Sequence, residues 1–225
     1  MRSIPVLISF ALAAAVTSPA AQLTQTQPEV LVPLSGTWTA EYEDGRQILT
    51  VQGAAERKAP DAAAAATLFG AAGGTSIVQS LAAPGAFTIS AARAISDFRG
   101  GQISVRFKLV SGATDQTAGI VFNLKPDGSY TYARYNTKDG NVAIWKFENG
   151  ARTVLKHGEA HEQLPPNTWQ TLTVTITGAE VSASAHGGRL TVSHTLPAPV
   201  SGRVGTWTKN DSVTSFRDYI VTVKR

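Results

Sequence analysis

From residue 87 onward apolar and polar residues alternate with a period of two, in short runs rich in β-branched and aromatic side chains. That alternation predicts strands over residues 87–91, 102–110, 118–124, 130–136, 142–147, 152–156, 168–177, 180–185, 189–194, 202–208 and 216–224. Pro126-Asp127-Gly128, Asp139-Gly140, Asn149-Gly150 and Gly187-Gly188 fall between these runs and supply the turn residues of an antiparallel meander. Two earlier runs, 37–42 and 47–52, flank Glu43-Asp44-Gly45-Arg46, where Asp-Gly signals a tight hairpin. So many strands in one domain require two stacked sheets or a large barrel. The pattern changes only over 54–75, where Ala62 to Ala66 precede Gly70, Gly73 and Gly74. Pro60-Asp61 can open one short helix over 60–69 that Gly70 closes; a low-complexity loop is the alternative.

The first 21 residues read differently. Arg2 is followed by an apolar run from Ile4 to Val16 and then by small residues, the pattern of a secretory signal peptide. The run is shorter than the roughly 20 residues that span a bilayer, and no later segment reaches that length, so no membrane insertion is expected. Residues 22–33 are polar and punctuated by proline, and read as a flexible leader to a single domain over 34–225. An exported, periplasmic or extracellular monomer follows as the expectation. With Cys 0 the fold forms no disulfides and must rest on its core. The net charge of +4 comes from scattered Lys and Arg, without the basic run that a nucleic-acid partner would call for.

The second half carries a resemblance. Phe107-Lys108-Leu109-Val110-Ser111-Gly112, followed by Asp115-Gln116-Thr117-Ala118-Gly119-Ile120-Val121-Phe122, resembles the opening of a bacterial family in the concanavalin A-like lectin/glucanase superfold. Tyr130-Thr131-Tyr132-Ala133-Arg134-Tyr135-Asn136 is similar to that family's Tyr-Tyr-x-x-Arg-x-Asn strand, and Asn141-Val142-Ala143-Ile144-Trp145-Lys146 to its next strand. Trp169-Gln170-Thr171-Leu172 and the C-terminal stretch from Gly202 to Ser212, then Phe216-Arg217-Asp218, continue the match in order. The resemblance implies a two-sheet antiparallel jelly-roll sandwich, akin to laminin-G-like and family 16 glycosidase domains. It also implies kinship with bacterial secreted proteins carrying a 3-keto-disaccharide hydrolase domain. Thr131, Asn123 and Arg217 stand where that family usually has other residues.

Three patterns bear on chemistry. Retaining glucanases of this sandwich carry Glu-x-Asp-x-x-Glu on one strand, because alternate residues share a face and the two carboxylates must sit about 5 Å apart. The nearest match, Glu41 to Arg46, ends on a base and has a hairpin turn at its centre. Asp211 and Asp218 are the remaining carboxylates to consider for catalysis. His157 and His161, four apart, lie in a segment broken by Gly158 and stopped by Pro165-Pro166, which reads as a surface loop rather than a metal-binding helix. Calcium is a candidate cofactor with no ligand motif to support it.

The third pattern is spread over several strands. Tyr130, Tyr132, Arg134 and Asn136 share one face of their strand, Trp207 and Lys209 share a face of another, and Asn123 is expected beside Arg134. Aromatic planes with a few fixed donors suit a glycan or small sugar. The same side chains on a sheet also pack against cross-strand neighbours, with Arg134 pairing to Asp211 or Asp218, and the spacing alone leaves both readings open. Trp38, Trp145 and Trp169 are assigned to packing. The expected function is carbohydrate recognition without visible catalytic machinery. The alternatives are a glycoside hydrolase acting on a disaccharide or polysaccharide, and a laminin-G-like protein-interaction module.

Overall fold

The computed structural model describes residues 23–25, 29–52, 59–82 and 87–224. The signal peptide expected over residues 1–21 lies outside the described residues. In chain order the elements are β1 (Leu23–Gln25), β2 (Leu31–Pro33), β3 (Trp38–Glu43), β4 (Arg46–Gln52), α1 (Ala62–Ala82), β5 (Thr88–Ala92), β6 (Gly100–Ser111), β7 (Thr117–Leu124) and β8 (Tyr130–Asn136). They continue with β9 (Asn141–Glu148), β10 (Ala151–His157), β11 (Gln170–Thr177), β12 (Glu180–Ala185), β13 (Leu190–Thr195), β14 (Arg203–Thr208) and β15 (Val213–Lys224). Strands pair antiparallel into a back sheet, ordered β13-β12-β11-β6-β15-β4-β3 with β1 also on β15, and a front sheet, ordered β10-β9-β8-β7-β14-β5-β2. The fold is a jelly-roll sandwich with one α-helix among the described residues.

The alternation sets the layers. Ile103, Val105 and Phe107 of β6, Ile120 and Phe122 of β7, Ala133 and Tyr135 of β8, and Leu172, Val174 and Ile176 of β11 all point between the sheets into one core. The turns take the conformations their residues allow. Asp44 (φ 51°) with Gly45 (φ 72°), and Asn149 (φ 53°) with Gly150 (φ 75°), close two-residue hairpins between β3 and β4 and between β9 and β10.

Two differences from the sequence reading shape the front sheet. Leu31–Pro33, placed in the leader, pairs with β5 and buries Leu31 against the core, because an apolar Leu-Val pair next to an open sheet edge gains by covering it. The helix expected over 60–69 is only the first half of α1. The Asp61 carboxylate accepts the Ala64 amide at 2.9 Å and caps the start, and Gly70 (φ 74°, ψ 170°) breaks the helix as foreseen. A second half then resumes through Ile77 and Leu81. The break folds the two halves together so tightly that a Cβ on Gly74 would lie 2.7 Å from the Ala66 backbone. No helix of the described residues is long and apolar enough to cross a membrane.

Candidate functional site

The outer face of the front sheet is the surface on which the ligand residues were expected, and its composition explains why most of it is closed. Tyr130 and Tyr132 of β8, Trp207 of β14, Val121 of β7 and Phe147 of β9 present apolar area outward as well as inward. Ala65, Leu68, Ile77 and Leu81 of α1 cover them, forming a second hydrophobic core. Trp207 stacks on Tyr132 at 4.1 Å between ring centroids, and Phe87 packs on both Trp207 (5.1 Å) and Phe147 (5.8 Å). Tyr130, Tyr132 and Trp207, expected as an open ligand surface, are therefore buried beneath the helix. Burial pushes the Tyr132 hydroxyl up to about 12 against the pull of Arg152, and raises Tyr130 well above the ordinary tyrosine value.

Arg203 fastens the helix over this face. It shares a face of β14 with Trp207, donates to the Ile95 carbonyl at 3.0 Å and to the Leu68 carbonyl, and lies 5.1 Å over the Phe69 ring. Leu68 is two residues before the break at Gly70, so its carbonyl belongs to a helix end that needs an outside donor.

The polar end of the same face is engaged in internal pairs. Arg134, with only 4% of its side chain exposed, donates to the Asn141 carbonyl (3.1 Å) and side chain (2.9 Å) and pairs with Asp139. Its partner is thus Asp139 across the β8–β9 turn, and neither Asp211 nor Asp218. Burial lowers the Arg134 pKa and Asp139 opposes that shift. Lys209 pairs with Asp115 at 3.0 Å, and Asn136 donates to the same carboxylate at 2.9 Å, joined by Asn210. Burial alone would raise Asp115; the bonds from Asn136, Lys209 and Asn210 outweigh it and hold the carboxyl below its usual value.

The other candidates separate. In the β7–β8 register Arg134 faces Gly119 and Tyr132 faces Val121, so Asn123 is not beside Arg134. Two residues of β7, Phe122 and Asn123, oppose one of β14, Val204, there, and Asn123 (φ 57°) occupies that bulge, its side chain accepting the Ser201 amide at 3.2 Å. Asp211 accepts the amides of Ala113 (2.7 Å), Thr114 (2.8 Å) and Asp115 (2.9 Å), tying down the loop before β7. These bonds, Thr114's first, hold its carboxyl low. Asp218 lies on the outer face of the back sheet, bound by Arg46 at 3.1 Å with Arg106 and Arg217 near. The two carboxylates are thus occupied separately and do not form a pair. His157 ends β10 while the His161 ring meets the Asp139 carbonyl at 2.7 Å, and among the described residues no group of His, Asp or Glu is placed to hold a metal.

What stays open is the margin beyond α1. Trp145, assigned to packing, is half-buried there. Its ring stacks along Tyr132 (6.5 Å), with the Arg134 and Arg152 guanidiniums at 5.9 and 5.0 Å and the His157 ring edge-on at 5.8 Å. The Trp145 indole N–H is buried without a hydrogen bond, so the indole meets solvent through the rest of its ring. The hairpin register pairing Tyr132 with Trp145 was the signal available in the sequence, since it puts both rings on one face.

No family model matches the sequence, and neither does any curated protein. Among solved structures the chain is similar to the carbohydrate-binding module CBM66 from Bacillus subtilis, at 16% identity over 84% of this chain and 92% of that one, TM-score 0.57. It is similar also to a Bacillus subtilis protein of galectin-like fold, at 10% identity over 91% of this chain and all of that one (100%), TM-score 0.53. These likenesses establish a shared jelly-roll architecture.

Proposed function

We propose that this is an exported carbohydrate-recognising domain, with the Trp145 margin of the front sheet as its sugar-binding surface. The observation that carries the reading is Trp145 itself: a half-buried indole held parallel to Tyr132 with two guanidiniums against it, one of them, Arg152, exposed to solvent. An apolar sugar ring face lies against such a plane, and its hydroxyls need donors of the kind that the exposed Arg152 guanidinium supplies. The carbohydrate-binding module of the same architecture and the resemblance to 3-keto-disaccharide hydrolase domains favour the same ligand class. The apolar segment 4–16 supports export. A glycosidase reading gains nothing from Asp211 and Asp218, each committed to other partners.

A thermal-shift titration with neutral oligosaccharides tests this, because a ligand bound only by the folded state raises the midpoint as its concentration passes Kd. A dose-dependent rise is expected, absent in Trp145→Ala and in the exposed Arg152→Ala. A rise that survives both variants would move the site elsewhere, and no rise with any sugar would remove the carbohydrate reading.

A further inference from the structure

The outer face of the back sheet holds a second aromatic and charged arrangement, unconnected to the first. The registers bring Arg106 of β6 directly opposite Arg217 of β15 and set Trp169, just before β11, beside the same stretch of β6. Three cations surround the half-buried Trp169 ring: Arg217 at 4.3 Å, Lys108 at 5.0 Å and Arg106 at 5.8 Å. Like charges facing each other across strands repel unless compensated. Part of the compensation is built in by a bulge: three residues of β15 oppose two of β6 after Arg217, and Asp218 (φ 51°) turns back toward Arg46, Arg106 and Arg217. Glu43 adds a contact to Arg217 at 3.2 Å.

The compensation is incomplete. Arg46, Arg106, Lys108 and Arg217 stand against Asp218 and Glu43 in ion pairs and Asp44 beside them, four cations to three carboxylates, and among the described residues Lys108 has no carboxylate partner. The Arg217 Nε–H is buried without a hydrogen bond, Asp218 being 3.7 Å away. Beside Arg217 a cleft of about 400 Å³ opens between Glu43, Asp44, Arg46, Ile48 and Arg217, within the size range of small-molecule sites.

We propose that this face is a second binding site, for a uronic-acid saccharide. The Trp169 plane takes the sugar ring, the surplus guanidinium and ammonium groups take its carboxylate, and Asp218 and Glu43 accept from its hydroxyls. The embedded carboxylates select for this ligand over a polyphosphate chain, whose acceptor-only oxygens they repel. Because the face lies on the opposite sheet from Trp145, its variants test it independently of the proposal above.

The experiment is a titration of the full chain with oligogalacturonate, with a neutral oligosaccharide, heparin and single-stranded DNA as comparison probes, at low and high salt. Oligogalacturonate is expected to bind, more weakly in salt. Trp169→Ala should weaken it by about tenfold and the milder Lys108→Gln by about threefold, each with an unchanged circular dichroism spectrum. Absence of oligogalacturonate binding, or binding indifferent to both substitutions, would overturn the proposal. So would tighter binding of heparin or DNA through the same residues, which would make the face a general polyanion surface.

Discussion

Trp207 lies against Tyr132 with ring centroids 4.1 Å apart and planes 21° from parallel, and Gly119 is the residue that permits it. Gly119 stands between Trp207 and Arg134 in the strand order, and a Cβ there would fall 3.1 Å from the indole and 3.0 Å from the Ala133 carbonyl. Gly119→Ala is therefore expected to displace the indole and destabilise the fold by about 1–3 kcal/mol, the cost of overpacking a filled core. Chemical denaturation monitored by tryptophan fluorescence measures it; an unchanged midpoint would mean that the stack tolerates a shift.

Helix α1 is joined to the front sheet by contacts that can be removed singly. Arg203→Ala takes away the donors to the Leu68 and Ile95 carbonyls and the cover over Phe69, and is expected to cost about 1–3 kcal/mol. Hydrogen exchange should quicken across residues 62–82 while β6, β11 and β15 keep their protection. Gly74→Ala drives a methyl into the Ala66 backbone and should loosen the same segment. Equal acceleration in both sheets would show that α1 and the sandwich unfold as one unit.

The strands and most turns were legible because each depends on neighbours in sequence: alternation selects the face, and Asp-Gly or Asn-Gly selects the hairpin. Gly70 was likewise readable as a break. The sequel to Gly70 was not, because Ile77 and Leu81 acquire a reason to be helical only when Trp207 and Tyr132, far along the chain, supply the surface they bury. The error over the ligand face has the same origin. Period two places Tyr130, Tyr132 and Arg134 together, correctly, but says nothing about what covers them. Arg134 was also separated from its partner by a turn: Asp139 reaches it only because Asn136 and Asn141 pair across that turn. Trp145 and Trp169 were assigned to packing by default, whereas both are only half-buried, one at the margin of the front sheet and the other just before a strand.

Asp211 acts as a loop anchor, and Asp211→Asn tests that role. The carboxylate receives three successive amides, from Ala113, Thr114 and Asp115; an amide side chain offers one acceptor oxygen in place of two and turns a donor toward the rest. A loss of about 1 kcal/mol is expected, with faster exchange of those three amides. Unaltered exchange would show that the loop is held by its other contacts, such as the Ser212 hydroxyl on the Asp115 carbonyl at 3.0 Å.

Acid should act on the fold through Asp115. Its carboxyl is held below the usual value by Asn136, Lys209 and Asn210, so the folded protein binds the proton more weakly than the unfolded chain does. A carboxyl depressed in this way contributes stability that is fully present above the unfolded value, about 4, and is lost as pH falls through the lower folded value. The side chain is only 7% exposed and Lys209 13%, so removing the charge leaves a partly buried ammonium without its partner. Asp115→Asn is expected to cost about 1–3 kcal/mol at pH 7, with the difference from the unsubstituted protein shrinking as the pH falls below about 4 and Asp115 itself becomes protonated. Thermal midpoints of both proteins over that range decide it. A difference that stays undiminished down to the lowest pH at which the fold survives would assign the effect of the substitution to packing of the amide, and not to the charge on Asp115.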